Sequence, residues 1–242
     1  MRIDGRTTDQ ARKVEIIAPF QNTAPGSCLI KNGNTWVCCS VSYQENVPAW
    51  MKNEGRGWLT AEYGMLPGSS SQRVKRERNF YNARSLEIGR LIGRSLRASM
   101  DLSSLPQMMF YVDCDVLQAD GGTRTAAISG AWVALVMSVH HLLNKKIIKT
   151  NPIIQQIAAL SGGLVKEALL VDLNYQEDSQ ADFDANFILT KEHDIVEIQA
   201  TAEGYPIERK KFNKLLDKII KSSDQIFEVQ DQVLENLGIN AG

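Results

Sequence analysis

Residues 113–125 read DCDVLQADGGTRT, and an apolar run follows them. Together with the residues just before, the first part alternates. Phe110, Val112, Cys114 and Val116 fall on one side; Tyr111, Asp113 and Asp115 fall on the other. A period of two predicts a strand with one buried face. Gly121 and Gly122 then break the strand, Thr123, Arg124 and Thr125 follow, and residues 126–143 read as a buried helix. Glycines let backbone N–H groups approach an anion with no Cβ in the way, and a helix N-terminus adds partial positive charge. Thr123 can donate a hydroxyl hydrogen bond, and Arg124 can offer a bidentate fork to phosphate. The stretch predicts a phosphate seat. The alternative is a tight strand-to-helix turn with an exposed arginine.

The chain around this stretch has 242 residues, enough for one large domain or two small ones, and is 43% hydrophobic. Every run of 18 residues carries polar interruptions, and the opening MRIDGRTTDQARK has no apolar core. The expectation is a cytoplasmic protein with no membrane partner. Cys28, Cys38, Cys39 and Cys114 show no CxxC spacing and sit in strand-like surroundings, so they read as buried free thiols. Net charge is −1, but its distribution is uneven. Residues 73–97 hold eight Arg or Lys against two Glu, and residues 177–203 hold eight acidic side chains against one Lys. The first stretch can attract phosphates and the second can hold cations.

Residues 2–13 read as a polar, basic, extended arm. Residues 14–17, 27–31 and 35–41 read as strands, the last two joined at Gly33 and Asn34 as a hairpin. Residues 46–73 read as a long irregular segment, although GWLTAEYGMLPG (57–68) is too apolar for a free linker. Residues 84–98 form a predicted helix with Leu91, Ile92 and Leu96 toward the core. Arg90, Arg94 and Arg97 share another face, and Arg84 stands at the start, where it could reach the same anion as Arg124. Residues 157–171 read as strand, turn, strand, with the turn at Gly162 and Gly163. Residues 183–190 and 195–201 read as a hairpin. Residues 206–220 predict an amphipathic helix, followed by a last helix capped by Ser222, Ser223 or Asp224. The order suggests a mixed sheet with helices packed on it.

Asp178, Asp182 and Asp184 form a second cluster, with Asp182 and Asp184 in strand phase on one face. Such hard oxygen ligands suit Mg²⁺ or Mn²⁺, or one could act as a general acid; the alternative is an acidic surface loop. His140, His141 and His193 make no triad, no Ser or Cys stands in a nucleophile elbow, and there is no Walker A loop or GxGxxG. With no protein nucleophile in view, inorganic phosphate is itself an attractive attacking group. Arg84, Thr123 and Arg124 would then hold it opposite the aspartates.

Several blocks carry a resemblance in order along the chain: DGRTTDQ (4–10), GWLTAEYGMLPG (57–68), LEIGRLIGRSLRA (86–98), DCDVLQADGGTRTAAISGA (113–131), YQEDSQADFDAN (175–186) and VEIQATAEG (196–204). The chain resembles the ribonuclease PH family of phosphate-dependent 3′→5′ exoribonucleases over nearly its whole length. The resemblance implies one domain over residues 1–242, of α/β (α+β) class with the βαβα fold related to the second domain of ribosomal protein S5. It implies a homohexameric ring built as a trimer of dimers. It also implies phosphorolysis of RNA 3′ ends, notably trimming beyond the CCA end of tRNA precursors. Arg84, Gly122, Thr123 and Arg124 match the phosphate-binding positions. Asp178 and Asp184 match the catalytic, metal-associated positions, and Arg73 and Arg76 match arginines that bind the tRNA substrate. Two departures stand out. Gly68 occupies a position where a third substrate-binding arginine is common, and residues 78–83 are about two residues shorter than usual, with Phe80 and Tyr81 as possible stacking groups. A catalytically silent RNA-binding ring subunit and a hydrolytic nuclease are the competing functions. The first would lack the paired sites, and the second would release monophosphates.

Overall fold

A computed structural model describes residues 2–75 and 83–240. The alternating stretch forms a strand as expected. In chain order the elements are β1 (Val14–Ile17), β2 (Gly26–Asn32), β3 (Thr35–Gln44), β4 (Trp58–Met65), α1 (Ala83–Ala98), β5 (Met109–Gln118) and α2 (Thr123–Asn144). They continue with β6 (Ile157–Val165), β7 (Ala168–Val171), α3 (Tyr175–Asp178), β8 (Phe183–Thr190), β9 (Ile195–Ala202) and α4 (Arg209–Asn236). Strand order is β1-β2-β3-β5-β4 in one sheet and β7-β6-β8-β9 in the other. All pairings are antiparallel except β4 with β5. A parallel pair needs a crossover, and α1 supplies it. This is the expected mixed α/β fold.

Phe110, Val112, Cys114 and Val116 are all buried, and they face α2. That helix packs against β2 and β3 of the first sheet and β6 of the second. Seventeen of its 22 residues are buried, which is why it is apolar all round rather than striped. By length and composition it could cross a membrane, yet here it is the central core helix. Trp132 at its middle is fully buried, and such burial contributes about 1.5–3 kcal/mol per large side chain. One hydrophobic cluster joins both sheets through α2.

Four expectations fail, each for a physical reason. Residues 2–13 are no free arm. Arg2, Arg6 and Arg12 are buried, because they find carboxylates far along the chain: Arg2 pairs with Glu177, and Arg6 and Arg12 pair with Asp172. The segment 46–73 is not irregular throughout, since Trp58–Met65 is β4, with Leu59 and Tyr63 buried beneath α1. Gly162 and Gly163 are not a turn. They lie inside β6, where a Cβ would meet Ile219, Leu215 and the Phe183 carbonyl. The turn is Lys166–Glu167, both at positive φ, as a two-residue hairpin turn requires. Finally, Ser222, Ser223 and Asp224 cap nothing, because α4 runs unbroken through them. Ser223 Oγ donates back to the Ile220 carbonyl at 2.7 Å, and Leu215, Ile219, Ile226, Phe227 and Leu234 keep one buried stripe.

Candidate active site

β5 ends at Gln118, and the chain turns into α2 through Ala119–Gly122. Gly121 and Gly122 both have positive φ, 71° and 64°. Gly122 is the N-cap of α2 in left-handed conformation and, with no side chain, makes no capping hydrogen bond of its own. The first N–H groups of α2 therefore have no intrahelical acceptor, which is the arrangement that seats anions. A Cβ on Gly121 would lie 2.5 Å from the Leu173 carbonyl oxygen, so this turn presses against the segment that leads to α3.

The press is held by Arg12. Its Nε and Nη2 donate to Asp172 at 2.8 and 2.7 Å, and its backbone N–H to the same carboxylate at 2.7 Å. The same guanidinium donates to the carbonyls of Asp120, Gly121 and Leu173. Burial pushes the Asp172 carboxyl up, but the hydrogen bonds and charge of Arg12 outweigh it and hold the group below the usual carboxylate range. One arginine thus fastens the glycine turn to the strand end that feeds α3. Asn174 and Glu177 then form a capping box that starts α3, whose last residue is Asp178.

A cavity of 1810 Å³ opens at this junction, and Arg84, Arg124, Asp178 and Asp184 all line it. Thr123 is buried, and its Oγ1 lies 2.8 Å from the Tyr63 hydroxyl. Arg124 Nη1 donates to Glu87 at 3.1 Å and to Gln199 at 3.2 Å, a brace that orients the guanidinium over the site. Burial and the charge of Asp184 raise Asp178, with Arg124 and Arg84 pulling the other way. Burial raises Asp184 too, opposed by Arg124 and helped by Glu203. The two arginines and two carboxylates therefore sense each other across one space.

The structure brings Arg84, Gly122, Thr123, Arg124, Asp178 and Asp184 together, as the sequence predicts, and places Arg73 exposed at the same cavity's edge. Arg76, Phe80 and Tyr81 lie outside the described residues. Asp182 does not join the site. It precedes β8, is exposed, and contributes its charge to Lys211. Arg90, Arg94 and Arg97 share a face away from this cavity. Arg94 bridges to Glu197 at 2.6 Å, and Arg97 stacks on the Trp58 ring at 4.6 Å. Gly68 is exposed with open space around a Cβ, so a side chain would fit there. Sequence reasoning missed Tyr63, Gln199, Arg12 and Asp172. Only proximity in the fold, across 160 residues for Arg12 and Asp172, gives the last two their role.

Residues 10–140 match the 3′ exoribonuclease family, domain 1, and residues 155–218 match the same family's domain 2. The chain belongs to the 3′ exoribonuclease family, the RNase PH family. Its glycine turn and facing aspartates thus sit in the fold of a phosphorolytic 3′ exoribonuclease family. A chain of the Archaeoglobus fulgidus exosome, solved with RNA bound to the active site, is 27% identical with a TM-score of 0.79, covering 94% of this chain and 91% of that one. A chain of an archaeal exosome core is 26% identical with a TM-score of 0.76, covering 95% and 91%. Rice Rrp46 is 17% identical with a TM-score of 0.79, covering 96% and 100%, and at that identity it attests the fold alone.

Whether a divalent ion fits can be judged from the donors. Among the described residues no group of three or more His, Cys, Asp or Glu could hold a metal. Two carboxylates do converge, and both are raised by burial, so each gains from a nearby cation. Mg²⁺ takes one or two carboxylates and completes its shell with phosphate oxygens and water. Asp178 and Asp184 fit that pattern.

Proposed function

We propose that this protein is a phosphorolytic 3′→5′ exoribonuclease that trims residues beyond the CCA end of tRNA precursors and other structured RNA 3′ ends. It uses inorganic phosphate and releases nucleoside 5′-diphosphates. The observation that carries this reading is the uncapped N-terminus of α2, with Thr123 and Arg124, facing Asp178 and Asp184 across one cavity. A hydrolytic nuclease has no use for a second anion seat beside its carboxylates.

Inorganic phosphate takes the open N–H groups of α2. The Tyr63 and Thr123 hydroxyls lie 2.8 Å apart and either can donate; in the proposed complex Tyr63 donates to Thr123 Oγ1, which leaves the Thr123 hydrogen for phosphate. Arg124 uses Nη1 for Glu87 and Gln199, so Nε and Nη2 form the edge that meets the anion. Arg84 supplies further positive charge at the cavity wall. A phosphate oxygen so held attacks the last phosphodiester phosphorus in line, and the bond to the 3′-oxygen of the preceding nucleotide breaks. Proximity supplies much of the rate. The arginines offset the charge that spreads over the transferring group. Asp184, on the cavity wall, is the residue we assign to proton transfer to the leaving 3′-oxygen. Asp178 and Asp184 would hold Mg²⁺ or Mn²⁺, which when bound stabilises negative charge on the reacting oxygens. The products are a nucleoside diphosphate and an RNA shorter by one residue. One phosphodiester becomes one phosphoanhydride, so excess diphosphate drives the reverse extension.

Arg73 at the cavity edge, together with Arg76, gives sequence-neutral phosphate contacts to the tRNA stem. The proposal includes a homohexameric ring assembled as a trimer of dimers and a cytoplasmic site of action. The archaeal exosome neighbours support assembly into a ring of such subunits.

The test is incubation of purified protein with an RNA bearing a short 3′ extension and Mg²⁺, with and without inorganic phosphate, and identification of the released nucleotide. Diphosphates that appear only with phosphate are expected. Monophosphates in either buffer would overturn the reading in favour of hydrolysis. Bound RNA with no release would favour a silent ring subunit.

A further inference from the structure

Two exposed apolar side chains border the phosphate cavity, and the reaction as described gives neither a task. Ile3 is 79% exposed and Tyr175 is 61% exposed, and both line the space that holds Arg124, Asp178 and Asp184. The other large exposed apolar side chains, Trp50 and Tyr205 among them, do not line this cavity.

Both residues stand on fixed backbone. Arg2, the neighbour of Ile3, donates Nε and Nη2 to Glu177 of α3 at 2.8 and 2.6 Å, and this pair is almost wholly buried. The N-terminal segment is thereby fastened to the helix that carries Tyr175. The Tyr175 N–H donates to Asp120 Oδ1 at 3.1 Å, which ties the same residue to the loop ahead of the glycine turn. Tyr175 and Asp178 are three residues apart on α3 and so share a face one helical turn apart. A tyrosine ring so exposed gains nothing from the core, and a rigid one loses little entropy on stacking with a ligand.

We propose that Tyr175 and Ile3 seat the 3′-terminal nucleobase, Tyr175 stacking on its face and Ile3 packing against its other side. This rests on the phosphorolytic reading, because the bond being cut is then the 5′ phosphodiester of the terminal nucleotide. The base of that nucleotide lies beside the reacting phosphorus, which Asp178 addresses. Every base has a π-face, so stacking accepts all four, as end trimming requires. Tyr175 is a substrate-binding residue in this scheme and takes no part in bond breaking.

The experiment compares two RNAs with the same sequence, one ending in an ordinary nucleotide and one in an abasic 3′ residue. Steady-state phosphorolysis is measured for the wild type, Tyr175→Ala, Tyr175→Phe and Ile3→Ala. The wild type is expected to show a KM about 10- to 100-fold higher for the abasic RNA, the worth of one stacked base. Tyr175→Ala should raise KM for the intact RNA by a similar factor and treat the two RNAs alike. Its kcat should move far less, because the stack persists from ground state to transition state. Tyr175→Phe should restore the wild-type values, and Ile3→Ala should fall between. A Tyr175→Ala protein that still discriminates as the wild type does would overturn the inference. So would a changed particle mass in light scattering, which would place Tyr175 in a subunit contact. If the wild type releases no diphosphate, the phosphorolytic reading fails by itself. Equilibrium binding of the same two RNAs then decides the base seat: a wild-type preference lost in Tyr175→Ala supports it, and equal binding by both proteins overturns it.

Discussion

Replacing Asp172 with Asn tests how the two halves of the site are held. Asp172 is fully buried and accepts hydrogen bonds from the Arg12 backbone N–H at 2.7 Å, Arg12 Nε at 2.8 Å and Nη2 at 2.7 Å, Arg6 Nη1 at 3.3 Å and Asn32 Nδ2 at 3.0 Å. Its φ is 54°, in the left-handed region, which Asn tolerates well. The substitution therefore removes charge and turns one acceptor into a donor with little backbone penalty. Arg12 is left buried without its counter-charge, and breaking a buried pair in this way costs about 3–5 kcal/mol. In a chain of this size that lowers Tm by about 6–20 °C, at roughly 2–4 °C per kcal/mol. Urea and thermal unfolding at one fixed protein concentration measure it, since association adds to apparent stability. Arg94→Ala is the control: the Arg94–Glu197 pair is 46% and 22% exposed, and such pairs are worth about 0–1 kcal/mol. The sign with pH follows from the lowered Asp172 carboxyl. Its contribution is fully present above the unfolded carboxylate value, near about pH 4, and is lost as pH falls through the lower folded value. A loss below about 1 kcal/mol at pH 7, no larger than the control, would refute the reasoning.

Three other outcomes are expected. Arg124→Ala should lower phosphorolysis by about 100- to 1000-fold, the usual worth of one oxyanion donor, while filter binding of RNA stays close to wild type; full phosphorolysis in this variant would remove Arg124 from the phosphate seat. Gly121→Ala must hold φ at 71° and set a Cβ 2.5 Å from the Leu173 oxygen. It should destabilise by about 1–3 kcal/mol or more, read by chemical unfolding, with activity falling further than stability alone explains, and a protein as stable and active as wild type would contradict the close approach. Asp184→Asn should lower the Asp178 carboxyl toward its ordinary value, because the charge of Asp184 helps raise it. Carbon-detected NMR titration of Asp178 without added metal reads this, and an unmoved midpoint would show that the two carboxyls do not interact.

The part of the fold that local pattern controls was legible. β5 and α2 follow from a period of two that gives way, at paired glycines, to a long apolar run. The buried side of α1 follows from Leu91, Ile92 and Leu96. What the chain hides is decided at long range. β4 alternates Leu59, Ala61 and Tyr63 inward, but Gly57 and Gly68 flank it, Gly64 interrupts it, and its parallel partner lies beyond α1. Ser222, Ser223 and Asp224 look like a helix start until the buried stripe on both sides is seen to keep one phase. The site was legible for the same local reason where a motif holds its atoms together, as in residues 121–124. Asp178 and Asp184 could be named, yet Asp182 looked equal to them. Only the structure leaves Asp182 exposed and outside the cavity.

The arginines at 2, 6 and 12 raise a question that stability does not answer. Buried ion pairs are often no better than well-packed apolar residues of similar size, because desolvation takes back what attraction supplies. A core built only for stability has little reason to keep three guanidiniums out of water. Their geometry suggests a different use. An apolar side chain in place of Arg12 could fill the volume, but it could not also donate to the Asp120, Gly121 and Leu173 carbonyls while pairing with Asp172. Those carbonyls belong to two segments that carry opposite halves of the cavity, the anion seat at the start of α2 and the approach to Asp178. Hydrogen bonds fix direction and distance where apolar contact fixes only volume. Under the proposed phosphorolysis the seat must aim a phosphate oxygen in line with the attacked phosphorus and its leaving 3′-oxygen, so register between the segments matters more than their adhesion. On this view Arg12→Met, which leaves Asp172 buried without its main counter-charge, loses stability as Asp172→Asn does and loses more of the catalytic rate than that lost stability explains.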